Sequence, residues 1–143
     1  LKNFDLKKPL ITILVIILLS VGTFFGYEYV TEPKIVDGVM SKNIDEKGEP
    51  IDVTTTFAPG DTIYFSAKQN RFWTDKAQVV WYKGEIATEN RFLVEEEVIV
   101  NKANYFTANL SVPEGLEEGH YGVTIYVKGS EIMETNAEFD VKK

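Results

Sequence analysis

The chain has 143 residues, 44% hydrophobic, 13% aromatic and 26% charged, which fits one folded domain with an appendage and excludes wholesale disorder. It holds no cysteine and one histidine, His120, so disulfides, thiolate nucleophiles and multi-imidazole zinc centres are excluded within a single chain. A formal charge of −7 opposes binding to nucleic acid, whose phosphates are neutralised by Lys and Arg.

That charge is unevenly placed. Of the 15 Lys and Arg and 22 Asp and Glu in the chain, residues 1–27 hold Lys2, Lys7, Lys8 and Asp5, a balance of +2 that leaves the remainder at −9. From Pro9 to Tyr27 no residue is charged, and residues 10–19 are almost all branched aliphatic. Nineteen helical residues rise about 28 Å, close to the ~30 Å hydrocarbon core of a bilayer. A helix also satisfies every backbone group without water. Pro9 suits a first turn, and Phe24, Phe25, Tyr27 and Tyr29 gather at the far end, where aromatic rings favour the membrane interface. The pattern predicts a cytoplasmic basic N-terminus over 1–8, a transmembrane helix over 9–27, a short linker over 28–34 and an extracytoplasmic domain over 35–143. Lys7 and Lys8 set that orientation by the positive-inside rule.

Ser20-Val21-Gly22 offers small residues to a signal peptidase, but an Ala-x-Ala pattern is absent and the aromatic belt lies beyond. An uncleaved signal-anchor in the cell membrane is therefore expected, with the lipid bilayer as its first partner. Gly22 and Gly26 form a Gly-x-x-x-Gly pair, a candidate helix–helix contact with another membrane or envelope protein or with a second copy. The bland alternative is that membrane helices simply tolerate glycine.

Beyond the linker the apolar residues recur every second position. Ile63, Phe65 and Ala67 share one face of Thr62–Lys68, with Tyr64, Ser66 and Lys68 opposite. Phe106, Ala108, Leu110 and Val112 alternate in the same way. So do Tyr121, Val123, Ile125 and Val127, and then Ala137, Phe139 and Val141. Further strands are expected at Ile35–Met40, Gln78–Lys83 and Phe92–Val100. Turn residues separate them at Ala58-Pro59-Gly60-Asp61, Lys83-Gly84-Glu85, Pro113-Glu114-Gly115 and Lys128-Gly129-Ser130. About seven short strands at this spacing read as an all-β, immunoglobulin-like antiparallel β-sandwich. Trp81 is the expected core anchor, and Leu116-x-x-Gly119-x-Tyr121 has the pattern of a tyrosine corner.

In order along the chain stand Asp45-x-x-Gly48-x-Pro50, Thr54-Thr55-Thr56-Phe57, Asp61-x-Ile63-Tyr64, Val80-Trp81-Tyr82, Gly119-x-Tyr121-x-Val123-x-Ile125-Tyr126 and Phe139-x-Val141. This series resembles a group of Ig-like extracytoplasmic domains of bacteria and archaea, carried on lipid anchors or single membrane helices. The likeness covers about residues 35–141 and implies fold and location. It brings no catalytic residues with it, and here a helix replaces the lipobox cysteine.

Candidate chemistry is sparse. On a strand, Glu95 and Glu97 share a face and Glu96 opposes them, which reads as a solvated strand surface rather than a glycosidase pair. Asp45, Glu46, Glu49 and Asp52 surround Gly48 without EF-hand spacing, so a polar hairpin loop is expected rather than a calcium site. His120 lacks a serine in a nucleophile elbow and reads as a surface or corner residue. No catalytic, metal or cofactor-binding residue is expected, and no cofactor.

There remain aromatics on the polar side of the alternation: Phe72 and Trp73 in a loop, and Tyr64, Tyr82 and Tyr126 on strands. Exposed aromatic surface marks contacts with partners or sugars; the bland alternatives are that the loop folds Trp73 over an open end of the sandwich as a core plug and that the tyrosines are plain strand-face residues. The expected function is thus a non-enzymatic accessory or structural subunit of a membrane or envelope complex. The alternative is a surface-tethered module that stacks glycans on Trp73, Phe72 and Tyr82.

Overall fold

The computed structural model describes residues 7–143, and residues 28–31 through their backbone alone. Lys2 and Asp5 of the charge argument, and the side chain of Tyr29 in the expected aromatic belt, lie outside the described residues. The chain divides into two compact units between Glu32 and Pro33.

The first unit is a helix, α1 (Lys7–Thr31). Its stretch Lys7–Tyr27 is long and apolar enough to cross a membrane, and none of it is buried. Thr12 and Thr23 donate their hydroxyls to the carbonyls of Lys8 and Leu19, at 3.0 and 2.8 Å, so these polar groups are satisfied within the helix itself. The helix overruns the expected boundary at Tyr27 and takes residues 28–31 from the expected linker. Adding residues to an existing helix avoids the cost of a new nucleus, and the helix stops where Pro33 disfavours the α conformation for Glu32.

Among the described residues the second unit has nine strands: β1 (Ile35–Ile44), β2 (Pro50–Val53), β3 (Thr56–Phe57), β4 (Ile63–Gln69), β5 (Lys76–Lys83), β6 (Arg91–Ile99), β7 (Tyr105–Leu110), β8 (Gly119–Val127) and β9 (Met133–Val141). A 3-10 turn over Thr88–Asn90 leads into β6. The strands form two sheets, ordered β2-β1-β4-β7 and β3-β9-β8-β5-β6. β1 is longer than expected and hairpins onto β2. The short β3 runs parallel to β9, pairing Thr56 with Asp140, so the sheets are not wholly antiparallel as the sequence reading had them.

The inward faces of both sheets meet in one core. Ile63, Phe65 and Ala67 of β4 and Phe106, Ala108 and Leu110 of β7 join Trp81 of β5, Tyr121, Val123 and Ile125 of β8, and Phe139 and Val141 of β9. Trp81 is fully buried. Tyr121 stacks on Phe139 with centroids 5.3 Å apart and donates its hydroxyl to the Glu117 carbonyl at 2.6 Å, the bond a tyrosine corner requires. Where the sequence suggested Val112, β7 ends at Leu110 and Val112 is half-buried.

The turn between β1 and β2 is a closed structure. The Asp45 carboxylate accepts from the amides of Lys47 and Glu49 at 2.8 and 2.9 Å. Gly48 is buried with φ +85°, and Asn101 reaches over to donate to the Lys47 carbonyl at 2.8 Å.

Backbone bonds gather the connecting segments at two ends. At the end where this unit begins, Asn70 donates its backbone N–H to the Lys34 carbonyl at 2.8 Å and its side-chain amide to the Pro33 carbonyl at 2.7 Å. Gln69 donates to Asn104, Val100 to Asp75, and Lys128 to Lys76. At the opposite end Leu116 donates to Pro59, Gly84 to His120, and Lys142 to Phe57.

Candidate functional site

The outer face of the five-stranded sheet carries a polar cluster that periodicity alone does not reveal. On β5, Val80 and Tyr82 alternate away from the core yet are only 1% and 2% exposed. The connection between β5 and β6 covers this face: a Cβ on Gly122 of β8 would lie 2.6 Å from Ile86. Tyr82 Oη lies 3.1 Å from Thr124 Oγ1 and 3.4 Å from Tyr126 Oη, and the Arg91 guanidinium lies 6.0 Å from the centre of the Tyr82 ring. Burial raises the Tyr82 phenol above its usual range. Burial pulls Tyr126 upward too, but its hydrogen bonds to Tyr82 and Thr124 and the Arg91 charge outweigh it and lower that phenol. An open cleft of about 310 Å³ beside Tyr126 is lined by Gln78, Arg91, Ser130 and Glu131.

The sequence-nominated aromatics therefore part company. Tyr82 is buried and offers no surface to a partner or sugar, contrary to expectation, because Ile86 of the following connection and Arg91 at the start of β6 lie over this face. Tyr126 and Tyr64 are half-buried. Phe72 and Trp73 are exposed, at 83% and 44%, with rings edge-to-face 5.1 Å apart. They lie at the end where the unit begins, whereas Tyr82 sits near the far end of β5, paired with Gly122 and Arg91. The three-ring platform Trp73, Phe72 and Tyr82 is not assembled. Arg91 and Thr124 went unnominated. Gly122 in mid-strand was the readable signal, since an interior strand glycine marks close approach of another segment.

The acidic groups serve local structure. A register shift between Ala77 and Val79 separates Glu95 from Glu97, so they do not share a face as the alternation implied. Glu95 accepts from Trp81 Nε1 at 3.2 Å, and burial holds its carboxyl above the usual carboxylate range. Glu97 lies 3.2 Å from Lys128 and 3.5 Å from Lys76, and the Lys128 bond lowers its pKa.

His120 sits between two carboxylates, Asp140 at 2.8 Å on Nδ1 and Glu138 at 3.4 Å on Nε2, and the Asp140 bond raises its pKa. With both ring nitrogens facing acids, neither addresses a hydroxyl, and the base–nucleophile half of a triad is missing. Among the described residues no group of three His, Cys, Asp or Glu side chains is placed to hold a metal ion. Gly22 and Gly26 leave open space on α1, with nothing within 4 Å of an added Cβ.

The class these features define is a β-rich domain behind an apolar N-terminal helix. No protein-family model matches the chain, and no curated protein matches it in sequence. Among solved structures it is similar to the alkylpurine DNA glycosylase AlkC of Pseudomonas fluorescens bound to abasic-site DNA, at 11% identity and a TM-score of 0.40. The match covers 77% of this chain and 30% of that one, and no activity is carried over from it.

Proposed function

We propose that the chain is a non-enzymatic single-pass membrane protein that holds an Ig-like domain just outside the membrane as an accessory or structural subunit of an envelope complex. One observation carries this reading: a helix apolar around its whole circumference ends at Thr31, and only Glu32 separates it from the folded unit. Such a domain works at a fixed height and meets partners laterally. Lys7 and Lys8 favour a cytoplasmic N-terminus, and the open strip at Gly22 and Gly26 gives the helix a surface for close packing.

The Ig-like assignment is supported by the parallel pairing of the short edge strand β3 with the last strand β9, by Trp81 on an inner strand and by the Tyr121 corner. The mass of the native particle in mild detergent tests the function. A stoichiometric hetero-assembly is expected, and exchanging both Gly22 and Gly26 for Leu should release its partner. A monomer that binds glycan arrays through Trp73 would replace the reading with a sugar-binding module.

A further inference from the structure

Exposed apolar side chains collect at one end of the β unit. Segments 33–34, 70–75, 100–104 and 128–132 meet there through the backbone bonds of Asn70, Gln69, Val100 and Lys128. Phe72 at the tip of its loop is 83% exposed, Ile132 71% and Trp73 44%, and Ile99 at the end of β6 is 64% exposed. Four such side chains in water cost free energy that burial would recover, at roughly 25 cal/mol per Å² of apolar surface covered.

Two further features of this end say what covers it. The first is the tether. The unit begins here at Pro33, and α1 ends at Thr31, so only Glu32 lies between and the Cα atoms of Thr31 and Pro33 are at most about 7 Å apart. The second is charge. The four segments, with the β1–β2 turn that Asn101 joins to them, carry Lys34, Lys47, Arg71, Lys102 and Lys128 against Asp45, Glu46, Glu49, Asp75 and Glu131, whereas the opposite-end segments 58–62, 84–90, 111–118 and 142–143 carry six acids against two lysines. In a unit that is acidic as a whole, the helix-bearing end is thus the balanced one, without the excess of acid that anionic headgroups would repel. Arg71 is buried, but Lys102 and Lys128 are exposed, and aromatic rings near exposed lysines settle at a phospholipid headgroup layer.

We infer that Phe72 and Trp73 seat this end of the β unit in the phospholipid interface of the bilayer that α1 spans. The inference rests on the membrane-anchored reading above.

The two tryptophans make the test clean, because Trp81 is fully buried and Trp73 is exposed. The full chain is reconstituted into phosphatidylcholine–phosphatidylglycerol vesicles whose acyl chains are either plain or brominated near the headgroup. The difference between wild type and Trp73→Phe isolates the Trp73 emission. Most of that emission should be lost in brominated vesicles while the Trp81 emission persists. A combined Phe72→Ser, Ile99→Ser and Ile132→Ser variant should restore it. A chain that floats with the vesicles but shows equal Trp73 emission in both lipids overturns the docking and leaves the anchor standing. A chain that does not float overturns both.

Discussion

Gly48→Ala and Gly129→Ala impose the same backbone strain in different surroundings. Both glycines have φ +85°, where a side chain costs about 1–2 kcal/mol. Around Gly129 nothing lies within 4 Å of an added Cβ, so that strain is the whole expected loss. At Gly48 the new Cβ would fall 2.5 Å from Asn101 Nδ2. The amide cannot swing aside freely. Its oxygen accepts from the amides of Ala103 and Tyr105, each at 2.9 Å, and its nitrogen donates to the Lys47 carbonyl. Displacing it forfeits a further ~1–2 kcal/mol. Gly48→Ala should therefore lose about 2–4 kcal/mol in all, near twice the loss at Gly129. Urea unfolding of the full chain in mild detergent, followed by emission of the buried Trp81, reads both. Equal losses from the two variants would refute the idea that Asn101 braces the β1–β2 turn.

Three more outcomes are expected from the same unfolding assay or from titration. Tyr121→Phe removes one hydrogen bond to the Glu117 carbonyl and keeps the stack on Phe139, so it should cost about 1 kcal/mol; an unchanged midpoint would deny the corner any role. Because burial raises the Glu95 pKa, the unfolded chain loses this proton first and stability falls as pH rises past about 4.3; Glu95→Gln should match wild type at more acidic pH and exceed it at neutral pH. His120 binds its proton more tightly when folded, so its small contribution is fully present below about pH 6.5 and lost as pH rises through the folded value; an NMR titration should show the midpoint fall in Asp140→Asn.

Much of the domain could be read from alternation because β4, β7, β8 and β9 each bury one face and wet the other. Ile63, Phe65, Ala67, Val123, Ile125, Phe139 and Val141 all entered the core from period two alone. Trp81 and Tyr121 were legible as size and corner geometry. β2 and β3 were not, since four and two residues carry too little pattern to register. The outer face of β5 was misread for a different reason. Its cover, Ile86 and Arg91, lies beyond a turn, and no local window links those residues to Val80 or Tyr82. The bulge that parts Glu95 from Glu97 belongs to pairing with β5, and a strand read singly cannot show it. Phe72 and Trp73 were found in sequence as exposed aromatics, but their placement beside Pro33 and Lys34 depends on bonds to Asn70 across the fold.

The position of β9 bears on how the domain comes to exist. It lies between β3 and β8, so residues 133–141 fill the sheet from within, as a keystone closes an arch. Thr56 waits for Asp140, and a contact so remote in sequence rewards the chain only after the intervening loop entropy has been met. During synthesis β3 has no neighbour in its sheet, and β8 offers an open edge, until this strand arrives. The five-stranded sheet is therefore incomplete until residues 133–141 pair with both of their neighbours.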